Sequence, residues 1–242
     1  MEVRLLGDFS DISIWNDAWE VEGPPAPLHA REYPKWERAL HKSEGHLALV
    51  GGEAVAKQLG LMLVERGAWN DGRGPALGFP IYEDGVLVNL VRRFLDAQTP
   101  KYQGLRGRGH QFWPDRSALP SIKEPILLVC GMRDVCTARK YGIHAYSTTG
   151  GVNTWPDEWL EWLAAGRHFK VIFDMGEEQF ALNLVERLRT AGSASAWMRR
   201  LPPPLRAGED LTDLERIFGG VGDWLHAQMN FRGHRPRAQR HG

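Results

Sequence analysis

In the second half of the chain, short apolar runs alternate with segments whose apolar positions recur at helical spacing. This alternation restricts the fold more than any other feature. Ile126-Leu127-Leu128-Val129 is a short apolar run fit for a buried parallel strand. Asp134 to Tyr141 is helix-compatible and ends near Gly142, and His144 to Thr148 reads as a strand closed by Gly150-Gly151. Glu158 to Ala165 reads as a helix with Trp159, Trp162 and Leu163 on one face. Phe169 to Phe173 is a second buried-type strand, ending at Asp174. Phe180, Ala181, Leu184, Val185 and Leu188 then mark an amphipathic helix. A weaker strand over 194–201 and short helices over 211–218 and 221–228 complete the half. Strand and helix in this order predict an α/β fold, a parallel sheet covered by helices on both faces. Active residues of such sheets lie at the carboxyl ends of the strands, which places Cys130, Gly131 and Asp174 at the functional edge.

The first half has a different grain. Val55, Leu59, Met62 and Leu63 repeat at helical spacing, so a helix is expected to run up to Gly67. Two β-prone runs, 77–82 and 86–91, flank Glu83-Asp84-Gly85, and Asp-Gly in that setting is a strong hairpin signal. A loop rich in Gly and Arg is expected from Gln98 to Pro114. Before residue 46, Gly23-Pro24-Pro25-Ala26-Pro27 is a linker-like break. Trp15, Trp19 and Trp36 show no period there, which leaves room for short helices packed on the next unit. The division expected is therefore a poorly defined segment 1–45, a smaller α+β unit 46–120 with a basic loop, the α/β unit 121–228, and a basic tail 229–242.

Lysines and arginines balance aspartates and glutamates at 30 each, so nucleic-acid contact would need locally segregated charge. Such segregation exists. Residues 1–30 carry six acids (Glu2, Asp8, Asp11, Asp17, Glu20, Glu22) against Arg4. Residues 92–116 carry six bases (Arg92, Arg93, Lys101, Arg106, Arg108, Arg116) against Asp96 and Asp115, and the tail adds Arg232, Arg235, Arg237 and Arg240. A solvated surface explains such charge as well as a phosphate-tracking groove does. Tyr102, His110, Phe112 and Trp113 interleaved with the bases suit base stacking. The two cysteines, Cys130 and Cys136, cannot build a four-cysteine zinc ribbon, so no zinc is expected. No apolar run approaches membrane-span length, and the start Met-Glu-Val-Arg lacks a signal-peptide pattern, so a cytoplasmic protein is expected.

Several stretches together resemble TOPRIM domains, which bacterial-type primases share with topoisomerases and some nucleases. The family's first strand ends in Glu-Gly-Glu, with Asp two residues on; a later strand ends in Asp-x-Asp followed by Gly and a helix. Here the first stretch reads Leu128-Val129-Cys130-Gly131-Met132-Arg133-Asp134, and the second reads Val171-Ile172-Phe173-Asp174-Met175-Gly176-Glu177-Glu178-Gln179. Leu201-Pro202 and Gly208-Glu209-Asp210-Leu211-Thr212-Asp213 are similar to a downstream primase segment. Upstream, Glu65-Arg66-Gly67, Phe79-Pro80-Ile81-Tyr82-Glu83-Asp84-Gly85 and Pro100-Lys101-Tyr102 resemble the primase subdomain that precedes TOPRIM. The resemblance covers roughly residues 52 to 228.

It implies a nucleotide-joining site using Mg2+ or Mn2+, with Asp174 and Asp134 catalytic and Asp174, Glu177 and Glu178 metal-ligating. It also implies nucleic-acid contacts from Lys101, Arg106, Arg108, Arg92 and Arg93. The implied partners are single-stranded DNA, nucleotides if the site is active, and a replicative helicase on a separate chain, since no phosphate-loop motif occurs here. The pattern is broken in places. Cys130 stands where the family's first glutamate would be, Gly176 where the second aspartate would be, and Gln179 where the glycine would be, so that only Asp174 and Asp134 remain of the acidic set, with Gly131 kept after the first position. Two readings follow: a primase-like polymerising enzyme, or a catalytically inactive module that binds nucleic acid in a replication complex. Cys130 also reads as an apolar strand-end filler, Asp134 as a helix cap, and Glu177 and Glu178 as acids drawn to a helix N-terminus.

Overall fold

A computed structural model describes residues 28, 30–68, 73–95 and 101–230. Two sheets make up its frame. The first has the order β1-β2-β3-β4, all antiparallel, from Met62–Val64, Ala76–Glu83, Val86–Phe94 and Tyr102–Gln103. The second has the order β5-β7-β6-β8-β9, from Phe112–Trp113 (β5), Ile126–Val129 (β6), Ala145–Thr148 (β7), His168–Ile172 (β8) and Ser195–Met198 (β9). Its last four strands are parallel, and β5 joins the edge antiparallel to β7.

Why the second sheet is parallel and central is visible in β6. Ile126 and Leu128 face one apolar cluster with Tyr146, Leu160, Phe169 and Leu184, while Leu127 and Val129 face another with Phe79, Trp113, Val135 and Leu214. A strand buried on both faces has no position for a polar residue, hence its unbroken apolar run. The covering helices are α4 (Met132–Lys140), α5 (Asp157–Ala164), α6 (Glu178–Thr190), α7 (Leu211–Phe218) and α8 (Gly222–Met229). Helix α7 starts with a reciprocal capping box between Asp210 and Asp213 and ends on Gly219 at φ 68°, so both of its ends are written in its sequence.

In the first sheet the hairpin forms where Asp-Gly predicts it. Asp84 and Gly85 have φ of 51° and 78°, the paired positive values that a two-residue turn of this twist requires. The Asp115 carboxylate accepts from the backbone N–H of Asp84 at 3.1 Å and of Gly85 at 2.7 Å, which ties the hairpin tip to the chain leaving β5. Gly78 allows close strand approach, because a Cβ there would lie 2.5 Å from Met62 Cγ.

Two expectations change. The helix expected to reach Gly67 stops at Gln58 (α3, Glu53–Gln58); Met62 and Leu63 belong to β1, paired with β2. Gly60, at φ 62°, turns the chain between them, and a four-residue apolar pattern cannot separate a helix end from a strand start. The loop expected from Gln98 to Pro114 contains β4 and β5, with 96–100 outside the described residues. Ahead of residue 46, helices α1 (Tyr33–His41) and α2 (Glu44–Ala48) do pack on the next unit, and Trp36, 2% exposed, clusters with Met62, Val64 and Leu90. Trp15, Trp19, the 23–27 break and the arginines of the tail lie outside the described residues. Among the described residues no helix is long and apolar enough to cross a membrane.

The two sheets meet at Trp113. Its ring packs edge-on to Phe79 with centroids 5.5 Å apart, and its indole N–H donates to the Pro80 carbonyl at 3.1 Å. Replacing Trp113 by Ala is expected to cost about 3–5 kcal/mol in urea denaturation, and by Phe clearly less. A loss under about 1 kcal/mol for Trp113→Ala would show that the sheets do not depend on this seam.

Candidate cation and nucleic-acid site

The site grows from neighbouring strand ends. Strands β6 and β8 pair in register, Val129 opposite Ile172, so the residues that follow each strand emerge side by side. After β6 come Cys130 and Gly131, and then α4 with Asp134 in its first turn. After β8 come Phe173, Asp174 and a turn at Gly176, whose φ is 96°, before Glu177 and α6. That φ suits glycine, since an L-side chain would be strained there. A third segment docks on this edge: Met175 N–H donates to the Glu209 carbonyl at 3.0 Å, and Gly208 N–H donates to the Met175 carbonyl at 2.8 Å. Asp210 is thereby brought beside Asp174, close enough for its charge to act on that carboxyl.

Asp134 does not cap its own helix. It is 3% exposed, and its Oδ1 accepts from the backbone N–H of Thr212 at 3.0 Å and from the Thr212 hydroxyl at 2.9 Å, joining α4 to α7. Gly131 keeps space beside it, because a Cβ there would stand 3.2 Å from Asp134 Oδ2. The Cys130 thiol donates to Glu177 Oε2 at 3.4 Å. Donor atoms of Cys130, Asp174 and Glu177 all lie within 4.8 Å of one another, a group able to hold a metal ion. Of the acids expected there, Asp174, Asp134 and Glu177 come together. Glu178 begins α6 and stands outside the three-donor group.

Burial raises Asp174, Asp134, Asp210 and Glu177 alike. Burial, then the charges of Asp134, Glu177 and Asp210, pushes Asp174 well above the usual carboxylate range, with Lys101 opposing. Asp134 rises through burial and Asp210, held back by the Thr212 hydrogen bonds and Arg133. Asp210 and Glu177 rise chiefly through burial. The Cys130 thiol is driven up by burial and by Asp174, Glu177 and Asp134, so without a metal it is a neutral thiol rather than a nucleophile. The carboxylates suit a divalent cation, whereas a thiol among them departs from the all-oxygen set that Mg2+ prefers.

The basic residues divide. Lys101 and Arg106 are exposed and Arg108 is half-buried. Arg93 is half-buried, with its guanidinium 5.7 Å from the Tyr102 ring centroid. Arg92 is 0% exposed inside the first sheet, where its guanidinium donates to Gln103 Oε1 at 2.8 Å, so it is removed from the surface expected to meet nucleic acid. Adjacent strand residues point to opposite faces, which is why Arg92 and Arg93 part company. Tyr102 links the basic edge to the acids, since Arg93, Arg133, Asp134 and Asp210 all act on its hydroxyl. Sequence reasoning missed Asp210 and Arg133 as site residues. The signal for Asp210 was the Gly208-x-Asp210-x-x-Asp213 segment, which also reads as a helix start. A concavity of about 760 Å³, between Tyr141, Leu214, Phe218 and Trp224, contains none of these acids.

No protein-family model and no curated protein matches the chain. Solved structures do. The E. coli primase catalytic core aligns with a TM-score of 0.56 at 17% identity, covering 81% of this chain and 76% of that one. The primase fragment of the bacteriophage T7 primase-helicase protein aligns with a TM-score of 0.50 at 16% identity, covering 72% of this chain and 69% of that one. The chain has a bacterial and phage primase-like fold.

The raised carboxyls make stability depend on pH in a definite direction. A carboxyl raised in the folded state binds its proton more tightly there than in the unfolded chain. Its contribution is full below the ordinary carboxylate range near about pH 4 and is lost as pH climbs through the folded value. In EDTA, urea-derived stability is expected to fall from pH 5 to pH 8.5, and Asp174→Asn to flatten that fall and gain about 1–2 kcal/mol at pH 8.5. Equal pH slopes for the two proteins would contradict the placement of Asp174 among like charges.

Proposed function

We propose that this chain is a primase-like protein of DNA replication. It binds single-stranded DNA along the edge carrying Lys101, Arg106, Arg108 and Arg93, and joins nucleotides at the adjoining acidic corner. What supports this reading is one juxtaposition. Asp134, Asp174, Glu177 and Asp210 converge at the carboxyl ends of β6 and β8, and Tyr102 connects them to the basic edge. A TOPRIM-type site works in this way, with carboxylates at strand ends and bases leading a phosphate backbone toward them.

In this reading Asp174 and Glu177 would hold a divalent cation, which supplies charge neutralisation for the attacking hydroxyl and the transferred phosphoryl group. Asp134 and Asp210 add negative charge behind them. Lys101, whose charge acts on both Asp174 and Asp210, is placed to meet phosphate oxygens at the edge of the acids. A second reading, an inactive module that binds nucleic acid in a replication complex, is favoured by Cys130, because a neutral thiol cannot serve as the carboxylate base of the family pattern.

Primer synthesis on single-stranded DNA with ribonucleotides and Mn2+ or Mg2+ separates the two. The enzyme reading expects short products from the wild type, reduced at least about 100-fold by Asp174→Asn. Lys101→Ala/Arg106→Ala/Arg108→Ala should weaken DNA binding and reduce the salt-dependence slope by about 2. Products unaffected by Asp174→Asn would refute the acidic corner as the reaction site. A wild type that binds DNA yet makes no product with either ion would establish the accessory reading.

A further inference from the structure

We propose that Cys130, Asp174 and Glu177 form a site for a borderline-soft divalent metal ion, represented by Zn2+, in preference to Mg2+. The proposal rests on the reading of the acidic corner as a cation site and specifies which cations it selects. Three observations carry it. The donor atoms lie within 4.8 Å of one another, and the thiol already points at Glu177, with Sγ 3.4 Å from Oε2. Donors held around one small ion stand about 3.5 Å apart, so modest side-chain rotation closes the group.

The second observation concerns Asp134, which is 3% exposed. Thr212 satisfies its Oδ1, and among the described residues no hydrogen bond reaches Oδ2. Its charge acts on both Cys130 and Asp174, and its Oδ2 lies beside Gly131, next to Cys130 in the chain, so a buried carboxylate adds negative potential to the group and favours a cation there. The third is the distribution of positive charge. Lys101 acts on Asp174 and Asp210, and Arg133 on Asp134 and Asp210. Among the described residues, the leading charges acting on Glu177 and Cys130 are those of acids: Glu178 on Glu177, and Asp174, Glu177 and Asp134 on Cys130.

Chemistry then selects the ion. Mg2+ favours oxygen and sheds water reluctantly, whereas thiolate with carboxylates suits Zn2+ and Co2+. Binding breaks the Cys130 S–H bond and forms a metal–sulfur bond. The proton leaves through Glu177 Oε2 to water, and the Glu177 carboxylate remains to bind the ion. Two cysteines are too few for a zinc ribbon, but this site needs only one, joined by carboxylates from a separate strand end.

Co2+ is the probe. Titrated into the whole protein, it is expected to produce a thiolate-to-cobalt charge-transfer band that one equivalent of Zn2+ abolishes and a large excess of Mg2+ does not. Cys130→Ser should remove the band and weaken Zn2+ binding at least about 10-fold in calorimetry. Cys136→Ala, at a core cysteine, should keep the band. Cys130→Glu should lose it and gain Mg2+ affinity. Circular dichroism confirms that each variant is folded. Co2+ binding without a charge-transfer band, or a band that survives Cys130→Ser, would overturn the proposal while leaving the cation site of the primase-like reading intact. Failure of the wild type to bind any divalent ion would overturn both, and DNA binding by the basic edge would stand apart from either outcome.

Discussion

Holding several acids together at one sheet edge requires the fold to oppose their mutual repulsion, and much else in the structure follows from how it does so. Burial makes that repulsion stronger, because a low-dielectric setting screens charge poorly. The opposing bonds are specific. Thr212 gives Asp134 two hydrogen bonds, and the backbone exchange between Met175 and residues 208–209 pins the Asp210 segment against the turn after β8. Helix α7, capped by Asp210 itself, is therefore part of the site as well as part of the core. A cluster of perturbed, buried acids that costs stability in the free protein is consistent with the proposed cation site.

The first sheet serves that edge from the side. Trp113 locks it to the second sheet, and β4 carries Tyr102 up to the acids. Tyr102 thus stands where the charges of Arg93 and of the acids Asp134 and Asp210 meet.

How much of this was legible in the sequence depended on how many faces of each element are buried. Strands β6 and β8 were plain because burial on both sides leaves only apolar residues, and the Asp84-Gly85 turn was plain because its backbone angles admit few residue pairs. The segment 59–63 misled because Gly60 turns the chain inside an apolar stretch that fits either period. At the site, Asp174 could be read from its position after a strand, whereas Asp134 stands out through the family resemblance alone. Asp210 could not, because a helix-capping aspartate looks the same whether or not a tertiary contact brings it to a second acid. Arg92 and Arg93 looked equivalent, and only the sheet's alternation made one a core residue and the other an edge residue.

The central claim is that the corner bounded by Asp174, Glu177 and Cys130 is where a cation sits. Anomalous diffraction from crystals of this protein soaked separately in Mn2+ and Zn2+ tests it directly. The account predicts a peak within bonding distance of Asp174 and Glu177 in both, with the Zn2+ peak also bonded to Cys130 Sγ. Peaks confined to surface carboxylates elsewhere, with that corner empty in both soaks, would contradict it.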